Sequence, residues 1–349
     1  MLASKRNTVI DSARGIGILL VFIGHLFLYD SIPFRIIFNF HMPLFFLLSG
    51  IVFNPNNVPA WHDFRRKISK NILAPLILAS LIGTSVNIFC STFLPTAEHE
   101  YISILGWLAE ITNGSPRFVP NAWFLTCLAM TQMTFWLIFV RHPSESPRLR
   151  LLGITVFALL CAVLVTPLPL KAKIICPLKM LSVPMSLTFF ALGCFYKERL
   201  KTLSKWAILL FPVTMFLSTK FRSPNLAIPE FPNVWCFAIC STTGILAILW
   251  IAKSMDCPAL QFIGRNSLVF FLLEGHAVRF VLHLGHFIYP QLSQSPLTDP
   301  LPFKSVPIIL ISSLLLISGI CPLFNRLLDS MREIITRTQE YPSTTSDQS

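Results

Sequence analysis

Residues 11–50, DSARGIGILLVFIGHLFLYDSIPFRIIFNFHMPLFFLLSG, decide how the chain is built. They read as two apolar spans joined by a tight turn, with Asp11, Arg14, His25 and His41 set inside them. An ionisable side chain within a bilayer is costly unless it faces a protein interior or a water-filled cavity, so each is a functional candidate by default. Arg14 and His25 are separated by about three turns of helix, so they share one face roughly 16 Å apart in depth. Asp11, three residues before Arg14, lies on that face within pairing reach. One polar stripe therefore runs most of the way through an apolar helix, and an open corridor from Arg14 to His25 is expected along it.

The rest of the chain agrees with a membrane setting. Of 349 residues, 54% are hydrophobic and only 13% charged, with 31 Phe and a mean hydropathy of +0.66. A soluble domain would carry about a quarter charged residues. The apolar residues fall in runs of about 18–25, the length that crosses a hydrocarbon core. The expected fold class is an all-α, polytopic transmembrane helical bundle of about ten spans. They are placed near 8–29, 33–53, 72–94, 119–140, 150–168, 176–196, 205–219, 234–252, 262–284 and 305–325. A membrane domain over 1–335 is expected to end in a disordered polar tail over 336–349.

With the N-terminus inside, the inner segments hold seventeen Lys and Arg and the outer loops six. That bias follows the positive-inside rule with both termini cytoplasmic. It also accounts for the net charge of +12 without nucleic acid, since no basic face stands beside base-stacking aromatics. The nine Cys show no Cys-x-x-Cys and no metal-ligand spacing, which removes zinc and redox motifs; Cys90, Cys176 and Cys236 leave room for one disulfide. Lys5 and Arg6 before an apolar run mimic a signal peptide, but Asp11 and Arg14 interrupt that run and no small-x-small cleavage site follows. An uncleaved first span is expected. Three Pro-rich outer loops, 95–118, 219–233 and 286–304, are longer than simple turns.

The order Asp-x-x-Arg-Gly from Asp11, then His25, then Phe-His-Met-Pro-Leu-Phe-Phe-Leu-Leu-Ser-Gly from Phe40, resembles the start of the acyltransferase 3 family. Those are integral-membrane O-acyltransferases that decorate sugars of surface polysaccharides, antibiotics and related acceptors. The resemblance implies that His25 is catalytic, with His41 at matching depth as a second catalytic or positioning group; Asp11, on the same stripe, is a further catalytic candidate. It implies that Arg14 serves the acyl-donor site. Arg66, Lys67 and Lys70 stand where the family often has Arg-x-x-Arg, and would meet the phosphates of acyl-CoA, with Lys giving a point charge where the family's Arg gives a fork; plain retention charges explain them equally well. Asn121 and Trp123 open the fourth span with a family-like Trp-Phe-Leu; Trp123 suits an interface anchor slightly better than a sugar-stacking platform. Gly264-Arg265-Asn266-Ser267-Leu268 resembles the family's late Asn-Ser-Leu segment. Glu274 stands where members often have His, with His276 about 200° away around the helix. Glu274 is expected to pair with Arg279 or His276, or to act as an acid/base group at the substrate.

The reading that follows is acyl transfer from cytoplasmic acyl-CoA, with acetyl as the default group and no permanently bound cofactor. The acceptor is a sugar hydroxyl at the outer face of a bacterial inner membrane, and a relay through acyl-His25 is preferred to direct attack. A secondary transporter or acyl-group exporter is the alternative from another class, weakened by the lack of internal repeats. A sensor or scaffold leaves the polar stripe without a reason.

Overall fold

In a computed structural model, residues 7–55, 58–93, 110–115, 119, 121–141, 146–288 and 305–340 are described. The helices are α1 Thr8–Leu26, α2 Ile32–Val52, α3 Trp61–Ile68, α4 Ala74–Phe93, α5 Ala122–Arg141, α6 Pro147–Val165 and α7 Leu170–Ile175. They continue with α8 Val183–Tyr196, α9 Phe211–Lys220, α10 Val234–Ser254, α11 Pro258–Arg265, α12 Ser267–Ile288 and α13 Val306–Glu340. Among the described residues the only strand-like pairing is an isolated bridge between Asn225 and Glu230. Eight helical segments of the described residues are long and apolar enough to cross a membrane.

Two expected spans differ from a single apolar helix. The seventh is a 3-10 turn, Lys205–Leu210, followed by the short α9, because Pro212 in the first turn of α9 lacks the N–H that a continuous helix would need. The ninth breaks into α11 and α12 at Asn266, which occupies the α11 C-cap. Helix α13 continues past Thr336 to Glu340, so the tail is helical over the start of the stretch expected to be disordered; its remainder lies outside the described residues. The loops 95–118 and 286–304 lie mostly outside them too. Cys176 and Cys236 are free thiols, and the side chain of Cys90 lies outside the described residues.

Packing follows two rules of helices in lipid: backbones approach where residues are small, and freed backbone groups find partners in neighbouring helices. Gly50 on α2 faces the Phe190 carbonyl of α8, while Gly193 on α8 faces the Leu47 carbonyl of α2; a Cβ at either would land on backbone. The Cys194 thiol reaches the Gly50 carbonyl at 3.2 Å across the same contact. Gly15 on α1 and Gly264 on α11 make a second such crossing, against Leu260 and Asp11. Pro43 inside α2 cannot donate to the Asn39 carbonyl one turn back. That carbonyl instead accepts the Ser241 hydroxyl of α10, and Asn39 Nδ2 donates to Ser218 of α9 at 3.0 Å. These bonds explain why a polar seam is tolerated between α2, α9 and α10.

Gly50→Val is expected to lower stability in detergent by about 1–3 kcal/mol, the usual cost of overpacking a core. An unchanged unfolding midpoint would show that the α2–α8 contact is looser than its geometry requires.

Candidate functional site

Helix α1 ends one residue after His25, and α2 returns beside it after a short turn. Phenylalanines fill the space below: Phe45, Phe124 and Phe271, from α2, α5 and α12, meet with ring centroids 5.1–6.1 Å apart. Above this layer lies a cavity of about 90 Å³, lined by His25, Phe38, His41, Asn121, Trp123 and the segment Pro224–Ala227 among others. That is several times the ~10–15 Å³ one water needs.

The cavity's polar groups are held from behind. His25 Nδ1 lies 3.0 Å from Glu274 Oε1. The Glu274 side chain is only 3% exposed, against 37% for His25, so the carboxylate is out of reach of a ligand and the imidazole is within it. The Asn121 amide, just before α5, donates to Glu274 Oε2 at 3.0 Å and to the Phe271 carbonyl at 3.0 Å. Both carboxylate oxygens are therefore engaged. With Nδ1–H donated to Glu274, Nε2 of His25 keeps its lone pair. His41 is fixed in the same sense by its own helix: Nδ1 donates to the Ile37 carbonyl at 2.8 Å, which leaves Nε2 as an acceptor. The Phe38 ring stands beside both imidazoles, with centroids 6.0 Å from His25 and 4.6 Å from His41.

Several sequence expectations change here. Glu274 is bonded to His25 and Asn121, partners the sequence does not single out for it. His276 is half-buried and does not line this cavity. Trp123 does line it, which favours a platform over a plain interface anchor. Asp11 is buried where α11 crosses α1, about 21 Å along the helix from His25, so the two cannot share a proton. On the stripe between Arg14 and His25, Ile18 is 0% exposed and Val21, 1% exposed, borders the cavity beside His25, so the cavity lies at the His25 end of the stripe.

Arg66, Lys67 and Lys70 form a separate group. Two of them meet the end of α13: Arg66 donates to the Thr336 carbonyl at 3.5 Å and the Lys70 carbonyl accepts from Arg332 at 3.3 Å. Arg332 thus joins the basic cluster. The late Asn-Ser-Leu segment is a helix break: Asn266 caps α11, accepts from Asn325 at 3.0 Å, and lets Gly264 approach Asp11.

Sequence reasoning missed Asp30 and Arg35. Asp30 sits at φ 61° in the α1–α2 turn. Arg35 Nε and Nη2 clasp its two carboxylate oxygens at 3.0 and 2.9 Å. Burial would push this carboxyl up, but the Ser223 N–H and the Arg35 guanidinium outweigh it and hold it below its ordinary value of 3.8. The sign is that of a carboxylate favoured in the fold: its contribution is full above that value and fades as pH falls through the lower one. Arg35 was legible as an intramembrane cation, the same signal that singled out Arg14.

The bundle and its buried His–Glu–Asn chain define a multi-pass membrane protein with a braced imidazole facing a small cavity. A family model described as an acyltransferase domain, that of the acyltransferase 3 family, matches residues 7–324. The chain belongs to that family and is, at that level, a membrane acyltransferase. No curated protein and no solved structure matches it.

Proposed function

We propose that the protein moves an acyl group, acetyl by default, from acyl-CoA to a sugar hydroxyl of a surface polysaccharide or lipid-linked glycan. The donor side is the cytoplasmic end bearing Arg14, Arg66, Lys67 and Lys70; the acceptor side is the outer end of a bacterial inner membrane. The observation that carries the reading is the 3.0 Å bond between His25 and a carboxylate buried behind it. It sets the tautomer in which Nε2 is nucleophilic, as an orienting acid does for a catalytic histidine elsewhere.

A cavity of about 90 Å³ takes an acyl group and an acceptor hydroxyl in turn more readily than a donor and an acceptor together, which supports the relay. In the first step the Nε2 lone pair attacks the thioester carbonyl and the C–S bond breaks. The CoA thiolate leaves, and the acyl-imidazolium keeps its proton on Nδ1, donated to the Glu274 carboxylate. In the second step the acceptor oxygen attacks the acyl carbon, its proton passes to Nε2 of His41, and the bond to His25 breaks. The proton on His41 then leaves to solvent on the acceptor side, and the CoA thiolate takes up a proton from solvent on the donor side, so that ester and free CoA thiol are the products. The route for the acyl arm requires Ile18 to move, or entry by another side.

The purified chain, given labelled acetyl-CoA and candidate glycans, is expected to form a labelled ester. If no acceptor yields ester or CoA release while liposomes holding the protein move a solute, the transporter reading replaces this one. His41→Gln is expected to release CoA in a single burst and then stall, with ester formation down by ~10²–10⁴-fold, the usual worth of a general base. Equal loss of burst and ester would remove His41 from the second step.

A further inference from the structure

The segment between α9 and α10 forms one wall of the cavity through Pro224, Asn225, Leu226 and Ala227. It is a compact loop: Asn225 and Glu230 exchange backbone hydrogen bonds of 2.9 and 3.0 Å. The Asn225 side-chain oxygen accepts from the Ala227 and Ile228 N–H groups at 3.0 and 3.1 Å. None of these bonds ties the loop to the bundle. Within the loop Leu226 and Phe231 are buried in the core and the Ala227 carbonyl accepts the Ser182 hydroxyl at 3.5 Å; the charged link is made just before Pro224, where Asp30 Oδ1 accepts the Ser223 N–H at 2.8 Å and Arg35 Nη1 donates to the Phe221 carbonyl at 3.4 Å. Arg35 also donates from Nε to the Asp30 carbonyl at 2.7 Å. Asp30 is held in the left-handed region at φ 61°, which is unfavourable for a residue with a Cβ. The clamp offsets that strain, and it joins the turn after His25, the helix bearing His41 and the cavity wall at one point.

We propose that the Asp30–Arg35 pair is a positioning element for the acceptor: it fixes the 221–227 segment as the wall against which the acceptor sugar is seated. It thereby sets acceptor affinity and selectivity and leaves acyl-CoA turnover alone. This rests on the acyl-transfer reading above. Neither residue lines the cavity, so each acts through the loop. The bidentate geometry makes the pair specific, since Lys at 35 would supply charge without the fork.

Asp30→Asn suits the test because Asn tolerates the left-handed region and removes only the charge; Arg35→Gln and Arg35→Lys attack the other partner. In the full chain, Asp30→Asn and Arg35→Gln are expected to raise the acceptor KM about tenfold, the loss of one charge-assisted bond. The donor KM and the rate of CoA release stay within twofold, and Arg35→Lys recovers little. Amide hydrogen exchange in 221–228 is expected to quicken at least tenfold, with α2 and α10 unchanged. An unchanged acceptor KM, or exchange loosened throughout the bundle, overturns the proposal. If wild type turns over no acyl-CoA, the acyl-transfer reading fails instead; unchanged exchange in 221–228 then shows separately that the pair does not hold the wall.

Discussion

His25→Ala is expected to abolish transfer, lowering the rate by on the order of 10⁴-fold while the protein folds and inserts as before. The imidazole is the only titratable side chain that both lines the cavity and is bonded to a buried carboxylate among the described residues. Its removal takes away the nucleophile of the relay and leaves Glu274 and Asn121 paired with each other at 3.0 Å. The expected structural cost is small, because the ring's accessible side already faces the cavity. Acyl-enzyme trapping separates the two forms of the mechanism. With labelled acetyl-CoA and no acceptor, wild type should carry label that is lost in His25→Ala. Transfer at the wild-type rate by His25→Ala would end the catalytic assignment outright. Transfer lost without any trapped label in wild type would retain His25 and replace the relay by direct attack.

The sequence made the bundle and the identity of His25 legible for one physical reason: polar groups are so costly in hydrocarbon that each one present is informative. Arg14, His25 and His41 stand out against runs of Phe, Leu and Ile, and the helical repeat orders them in depth. The partners of those groups were not legible. Glu274 lies 249 residues from His25, and nothing local marks the pairing. Periodicity places Glu274 on a face of α12 but does not say which helix that face meets. Asn121 read as a residue opening the fourth span beside a substrate, and nothing local marks that its amide satisfies the second oxygen of buried Glu274. Helical spacing puts Arg14 and His25 on one face, but whether the space between is open depends on what packs there, and Ile18 on that face is buried. The clamp was overlooked because Asp30 and Arg35 become meaningful only once the 221–227 segment lies beside them.

Glu274→Gln should cost on the order of 10³–10⁴-fold in turnover with little change in folding, although the substitution is nearly isosteric. A carboxylate can only accept, so it demands the proton on Nδ1 of His25 and leaves Nε2 unprotonated. A Gln amide placed by Asn121 can turn its NH2 group toward Nδ1. The imidazole then adopts the other tautomer, with its lone pair aimed at the amide and N–H facing the cavity. Both uses of Nε2, attack on a thioester and acceptance of a hydroxyl proton, are lost together, as when an orienting acid is replaced by its amide in a hydrolytic triad. The neutral side chain also fails to stabilise the imidazolium. Asn121→Ala is expected to be milder, about tenfold, since it removes one buried hydrogen bond to the carboxylate and leaves the bond to His25 in place. The order of effects distinguishes this chain of contacts from a merely structural buried carboxylate. Loss of packing would lower the unfolding midpoint of Glu274→Gln in step with activity, whereas loss of the tautomer would lower activity alone. Wild-type turnover by Glu274→Gln would mean that the carboxylate does not set the state of His25, and the relay would then need another source for its nucleophile.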